Sequence, residues 1–174
     1  MSKIILMAES GSDISPELAK EYGIVIVPMH VAFGGETRDD GSFPVTQMFD
    51  HYKKTHEPPR TSGCTPIDFE DVFAKLDKEE PDKQILYLAY SACTTCSMQS
   101  GVIASEDRKG IFFVDTKQVS AAQGAVVIEM ARYLEENPDA TMEMAMEKAQ
   151  EVAASVRMGF FPGDLDVIDA AFCH

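Results

Sequence analysis

Short apolar runs alternate with segments of helical period along most of this chain, and that alternation constrains the fold more than any other feature. Lys3–Ala8 reads as a first strand, Ser15–Tyr22 as a short helix capped by Ser15 and Pro16, and Ile24–Phe33 as a longer β-rich run. Thr46–Thr55 and Pro66–Leu76 read as helices, Ile85–Tyr90 as a buried strand, and the segment from Met98 to about Asp107 as a helix. Ile111-Phe112-Phe113-Val114 is a further strand, followed by a helix over Ser120–Asn137 with Val127, Met130, Ala131 and Leu134 on one face. A last helix starts from a cap at Thr141, with Met142, Ala145, Met146, Ala149, Val152, Ala153 and Val156 at helical spacing. Strands alternating with helices predict an α/β fold: a mostly parallel sheet with helices on both faces. The chain has no internal repeat and no low-complexity stretch.

Two strand-to-helix corners carry small polar residues. In Arg60-Thr61-Ser62-Gly63-Cys64-Thr65-Pro66-Ile67-Asp68, Thr65 can cap a helix, Pro66 fits its first position and Asp68 stands three residues beyond the cap. A helix start of this kind favours a carboxylate or phosphate, and Thr61 and Ser62 add hydroxyl donors. A capped helix with a polar lead-in that binds nothing is the plainer reading of the same residues. The second corner is Ser91-Ala92-Cys93-Thr94-Thr95-Cys96-Ser97, directly after the Ile85–Tyr90 strand, where open α/β sheets usually bind ligands. The two corners could converge on one acidic head group.

The remaining chemistry-bearing residues form no enzyme signature, and no catalytic residue or metal ligand set is expected. His30, His51 and His56 lack nucleophile or ligand spacing. Glu36-Thr37-Arg38-Asp39-Asp40-Gly41 could hold a cation, but reads first as a solvated turn. Cys93-Thr94-Thr95-Cys96 before a helix supports an alternative, a thiol-redox or metal-binding protein joined by Cys64 and by Cys173 and His174. Against it stand the missing thioredoxin-like context and the lack of a second C-x-x-C; free thiols are the plainer expectation. Ten methionines are many, and most read as core filler rather than as the lining of an adaptable tunnel.

With 174 residues, 45% of them hydrophobic, the chain can build one core. Its formal net charge of −14 disfavours nucleic acid and anionic membrane as partners. No apolar run approaches the ~20 residues that cross a bilayer, and no signal peptide opens the sequence, so a cytoplasmic protein is expected.

Five segments, in order, resemble the DegV family of bacterial fatty-acid-binding proteins. Glu9-Ser10-Gly11-Ser12-Asp13-Ile14-Ser15-Pro16-Glu17 is similar to its opening Asp-Ser-x-x-Asp-Leu-x-x-Glu, and Gly34-Gly35-Glu36 through Asp39-Asp40-Gly41 to its loop ending in Asp-Gly. Thr61 through Phe69 is similar to Thr-Ser-x-Pro-x-Pro-x-Asp-Phe, Ser91 through Ser100 to Ser-Ser-x-Leu-Ser-x-Thr-Tyr-Gln-Ser, and Phe113-Val114-Asp115-Thr116 to a Val-Ile-Asp-Ser/Thr strand. The departures are Glu9 for Asp, Gly63-Cys64 for Gln-Pro, Ala92 for a second serine, Thr94 for leucine and Met98 for tyrosine.

The resemblance implies a non-enzymatic carrier with no cofactor, holding a long-chain fatty acid and presenting it to a fatty-acid kinase. It places the carboxylate near Thr61, Ser62, Ser91 and Ala92, and by analogy offers Ile26, Met29 and Phe33 as acyl-tunnel candidates. It further implies an N-terminal α/β domain over 1–158, with 159–174 beginning a crossover to a second lobe that supplies a histidine and an arginine to the carboxylate. A lone first lobe would expose an apolar cleft, and self-association into a homo-oligomer is then expected.

Overall fold

The computed structural model describes residues 3–160. Its strands are β1 (Ile4–Glu9), β2 (Val25–Val27), β3 (His30–Phe33), β4 (Glu36–Asp39), β5 (Arg60–Ser62), β6 (Gln84–Ala89) and β7 (Ile111–Asp115). Its helices are α1 (Pro16–Tyr22), α2 (Thr46–Thr55), α3 (Pro66–Glu79), α4 (Ser97–Ala104), α5 (Ser120–Glu136) and α6 (Met142–Ser155). Four strands form an all-parallel sheet in the order β2-β1-β6-β7, with Ile5 opposite Ile85 and Leu86 opposite Phe112.

The central strands are continuous apolar runs because both of their faces are covered. Alternate residues of each strand point to opposite sides. Leu6, Ala8, Leu86, Leu88 and Val114 pack with Val126, Val127 and Met130 of α5 and with Ala145 and Ala149 of α6. Ile5, Met7, Ile85, Tyr87 and Ala89 pack on the other side with Phe69 and Phe73 of α3 and with Ala104 at the end of α4. Helices therefore lie on both faces, as the alternation of elements predicts.

Local chemistry fixes where the helices begin. Ser15 Oγ accepts from the Leu18 N–H at 3.2 Å to start α1, and Thr141 Oγ1 accepts from the Met144 N–H at 3.3 Å to start α6. At α3 the cap is reciprocal: the Thr65 hydroxyl accepts from the Asp68 N–H, while the Asp68 carboxylate accepts from the Thr65 N–H at 2.6 Å.

Two sequence expectations are corrected by a second, antiparallel sheet in the order β4-β3-β5. Ile24–Phe33 is not one run: it breaks at Pro28-Met29, so β2 joins the parallel sheet and β3 the antiparallel one. Pro28 has no N–H to continue a ladder. The stretch Glu36–Asp39, expected as a solvated turn, is a strand paired with β3. Gly34 and Gly35 both have positive φ, 61° and 81°, which makes the two-residue type I′ hairpin that joins β3 to β4. The lead-in Arg60-Thr61-Ser62 is likewise a short strand, on the other edge of β3.

The expected crossover over 159–174 falls almost wholly outside the described residues, as do Cys173 and His174.

Candidate functional site

The strand order places a topological switch between β1 and β6, since the chain passes from β1 through α1 to β2 on one side and takes up β6 on the other. Ligands of open α/β sheets bind at the C-terminal strand ends beside such a point. There the chain gathers Glu9-Ser10 after β1, Pro28-Met29 after β2, Tyr90-Ser91 after β6 and Thr116 after β7. The corners are tied by backbone bonds to hydroxyls and carboxylates. The Met29 N–H donates to Ser10 Oγ at 3.0 Å, and Thr116 Oγ1 donates to the Ala89 carbonyl at 2.7 Å. Among the described residues, three of the four non-glycine residues with left-handed backbone, Asp13, Lys117 and Ser120, sit at this edge. Such conformations concentrate where a fold holds chemistry in place.

Ser91 is buried and Ala92 exposed. The Ser91 N–H donates to the Gln118 carbonyl at 3.0 Å and the Ala92 N–H to Asp115 Oδ1 at 3.3 Å, so the main-chain donors of these two residues are already engaged. What the pair can offer an anion is the Ser91 hydroxyl.

Thr61 and Ser62 are exposed in β5. Thr61 stands directly opposite Val31, and opposed residues of an antiparallel pair point to one face, so Thr61 shares a face with Val31, Phe33 and Arg38. Ser62, opposite His30, points to the other. The α3 N-terminus is less available than its sequence suggests. Asp68 is already seated there, accepting from the Thr65 N–H at 2.6 Å and from the Thr65 hydroxyl at 2.7 Å.

The two corners meet. The Cys64 N–H donates to Ser97 Oγ at 3.0 Å, linking the residues after β5 to the start of α4. The approach is so close that a Cβ on Gly63 would lie 2.2 Å from Thr95 Oγ1 and 2.7 Å from Ser97 Oγ. The absence of a side chain at Gly63 allows the corners to touch.

Two charged clusters flank the meeting point. Glu9, at 0% exposure, accepts from the Tyr87 hydroxyl, from the Tyr90 N–H at 3.1 Å and from Gln123 Nε2 at 2.6 Å. Burial pushes its carboxyl above the ordinary carboxylate range even against those hydrogen bonds. His30 lies between Asp68, 2.8 Å from Nε2, and Asp39, 3.2 Å from Nδ1, and so pins the antiparallel sheet to the start of α3. Burial raises the Asp68 carboxyl, but the Thr65 N–H and hydroxyl together with His30 hold it below its ordinary value.

The apolar candidates separate. Ile26 packs with the α5–α6 side of the core and Met29 with the α3–α4 side. Phe33 belongs to neither; it packs with Phe43 and His51 at ring-centroid distances of 5.2 and 5.8 Å, under the Arg38 guanidinium and on the sheet face that carries Thr61. Sequence reasoning missed Ser97 as the bond joining the corners, and missed Tyr87 and Gln123 as partners of Glu9. A carboxylate closing the apolar run Ile4–Ala8 was the available signal for the second group.

The thiol alternative gains nothing from the geometry. Cys93 and Cys96 are exposed, while the buried Cys64 thiol is pushed up to about 12 by burial and by the charge of Glu9. Among the described residues no group of three or more His, Cys, Asp and Glu side chains is placed to hold a metal ion, and no helix is long and apolar enough to cross a membrane. Two surface hollows of about 410 and 660 Å³ lie elsewhere, the first around Lys83, Arg108 and Gly110 at the opposite end of the sheet, the second around Phe112, Met142 and Met146.

Comparison with known proteins gives consistent matches. The sequence profile of the DegV family, described as uncharacterised proteins, matches residues 3–170. A DegV domain-containing protein of Caldanaerobacter subterraneus is 28% identical over 134 residues, 76% of this chain and 47% of its own. A Thermus thermophilus DegV family protein, solved with reference to its fatty acid binding, superposes with a TM-score of 0.77 at 25% identity, covering 87% of this chain and 54% of its own. A Thermotoga maritima protein whose structure revealed a fatty acid binding function superposes at 0.72 with 26% identity, covering 87% and 55%. The chain thus spans about half the length of the relatives it matches.

Proposed function

The chain belongs to the DegV family, and from that premise we propose that it binds a long-chain fatty acid, with the carboxylate held between the Thr61 and Ser91 corners. The observation that carries this reading is the junction of those corners through the Cys64 N–H and Ser97 Oγ, 3.0 Å apart. It brings the hydroxyl-bearing strand β5 to the switch point of the parallel sheet. The fatty acid binding described for the Thermus and Thermotoga relatives supports the same ligand. The hydroxyls of Thr61 and Ser91 would donate charge-assisted hydrogen bonds to the carboxylate, whereas Ser62, on the other face of β5, does not join them. Ala92 adds backbone shape rather than a donor, since its N–H serves Asp115. Phe33, on the face of Thr61, is the apolar candidate placed to meet the first part of the tail. The tail supplies most of the affinity, at ~0.8 kcal/mol per buried methylene.

In this reading the protein is a cytoplasmic carrier without chemistry of its own, and a kinase acting on the bound carboxylate is its partner. The first test is native mass spectrometry of the purified chain followed by lipid extraction. A fatty acid in near one-to-one amount is expected, and an empty chain that also fails to take up added palmitate refutes the reading. Thr61→Val keeps side-chain volume and removes the hydroxyl; loss of one charge-assisted bond weakens palmitate binding roughly tenfold. Unchanged binding removes Thr61 from the site.

A further inference from the structure

An anion site beside a buried acid poses a physical problem. Glu9 accepts a hydrogen bond from the Tyr90 N–H, the residue next to Ser91, so a ligand carboxylate at Ser91 meets a second carboxyl one residue away. Bulk charge does not relieve this, because the chain carries a net charge of −14. Among the described residues, the groups around Glu9 supply no cation. Tyr87 approaches from β6, Tyr90 from the corner after it, Cys64 from the lead-in to α3 and Gln123 from α5, while Asp13, in the segment before α1, faces Tyr90. Tyr87, Tyr90 and Cys64 are neutral at physiological pH, and Asp13 adds negative charge.

We propose that Glu9 is a proton-linked positioning residue: binding of a fatty-acid carboxylate at the Ser91 corner draws one proton onto Glu9, and this proton makes anion binding possible there. The inference rests on the proposed fatty-acid site. The cluster accommodates both protonation states without moving. With Glu9 ionised, the Tyr87 hydroxyl donates to Oε1; with Oε1 protonated, it can donate to the Tyr87 oxygen. Oε2 keeps the Tyr90 N–H at 3.1 Å and Gln123 Nε2 at 2.6 Å in either state. Gln123 is itself held by the Leu88 carbonyl at 2.8 Å, so it cannot turn away. Burial already favours the neutral form of Glu9, and a second negative charge favours it further.

Linkage gives the sign. Proton uptake on binding means that anion affinity falls as pH rises through the Glu9 value, by up to about tenfold per pH unit. Decanoate binding by titration calorimetry, from about pH 6 to pH 10 and in buffers of different ionisation enthalpy, reads both the slope and the proton count. The wild type should take up close to one proton in part of this range, with affinity falling at least about threefold per unit. Glu9→Gln mimics the protonated form, since Nε2 can donate to the Tyr87 oxygen and Oε1 accept from Tyr90 and Gln123; it should bind decanoate with no proton uptake and a flat profile. Tyr87→Phe removes a donor that favours the ionised form and should move the fall to higher pH. Uncharged decan-1-ol should show no slope in the wild type. A flat wild-type decanoate profile, a Glu9→Gln profile equal to wild type, or the same slope with decanol overturns the proposal while leaving the fatty-acid reading intact. Absence of decanoate binding at every pH overturns both.

Discussion

The two sheets of this molecule are held by different forces. In the parallel sheet Met7, Ala8, Leu86, Tyr87, Leu88 and Ala89 are all 0% exposed, packed between two layers of helices. In the antiparallel sheet Val31 is the only buried residue of β3, β4 and β5, and α2 beside it buries none. What fastens the second sheet is polar and countable: His30 between Asp39 and Asp68, the Met29 N–H on Ser10, the Cys64 N–H on Ser97. Apolar burial is large and non-directional, whereas a net hydrogen bond contributes about 1 kcal/mol and depends on geometry. The fold is therefore carried by one sheet, and the other can open locally without global unfolding. Thr61 lies on the sheet that can open and Ser91 on the edge of the one that cannot.

The largest effect should come from the rigid side. Phe73→Ala empties a fully buried site between α3 and β6 and should cost ~3–5 kcal/mol in urea unfolding, with both sheets lost in one transition. A loss below about 1 kcal/mol would mean that the parallel core does not dominate. Next comes the junction. Gly63→Ala forces its new Cβ against Thr95 and Ser97, and should cost ~1–3 kcal/mol while weakening palmitate retention. Retention equal to wild type would show that the corners need not touch.

His30→Gln sharpens the contrast from the other side. It should cost ~1–2 kcal/mol and speed hydrogen exchange in β3–β5 while leaving β1 and β6 amides protected. Equal acceleration in both sheets would erase the distinction. Acid adds a second reading of the same clamp. Asp68 has a lowered value, so its stabilisation is present above the ordinary carboxylate value and is lost as pH falls through its own; His30→Gln should move that loss to higher pH. Glu9 has the opposite sign. Its raised value means that its stabilisation is complete at low pH and is lost as pH rises, so Glu9→Gln should gain stability over wild type toward neutral pH. The smallest effect belongs to α2: Phe49→Ser, at a residue 56% exposed, should stay within ~0.5 kcal/mol.

The same contrast decides what the sequence reveals. Buried parallel strands write themselves as apolar runs, and Ser15, Thr65 and Thr141 mark helix starts, so β1, β6, β7 and the helices are legible. The antiparallel sheet is not: Glu36-Thr37-Arg38-Asp39 and Arg60-Thr61-Ser62 have no apolar face, and their pairing comes from β3 between them. Gly34-Gly35 was the one local sign of the hairpin. At the site, Ser91 follows from its strand-to-helix corner and Thr61 from its hydroxyl near a capped helix. The Glu9 cluster could not be read locally, because Tyr87 and Gln123 stand 78 and 114 positions away.

The pairing of β1 with β6 also orders events during synthesis. β1 cannot complete its ladder until β6 has followed, and the residues between them build the antiparallel sheet and α3. Until then the apolar run Ile4–Ala8 has only the three-residue β2 as a strand partner in the parallel sheet, with α3 to cover one face. Such long-range parallel pairing is slow and leaves a nascent chain sticky. A chain arrested just short of Gln84 should therefore recruit holding chaperones strongly, and one arrested after Asp115, with all four parallel strands made, should recruit them far less.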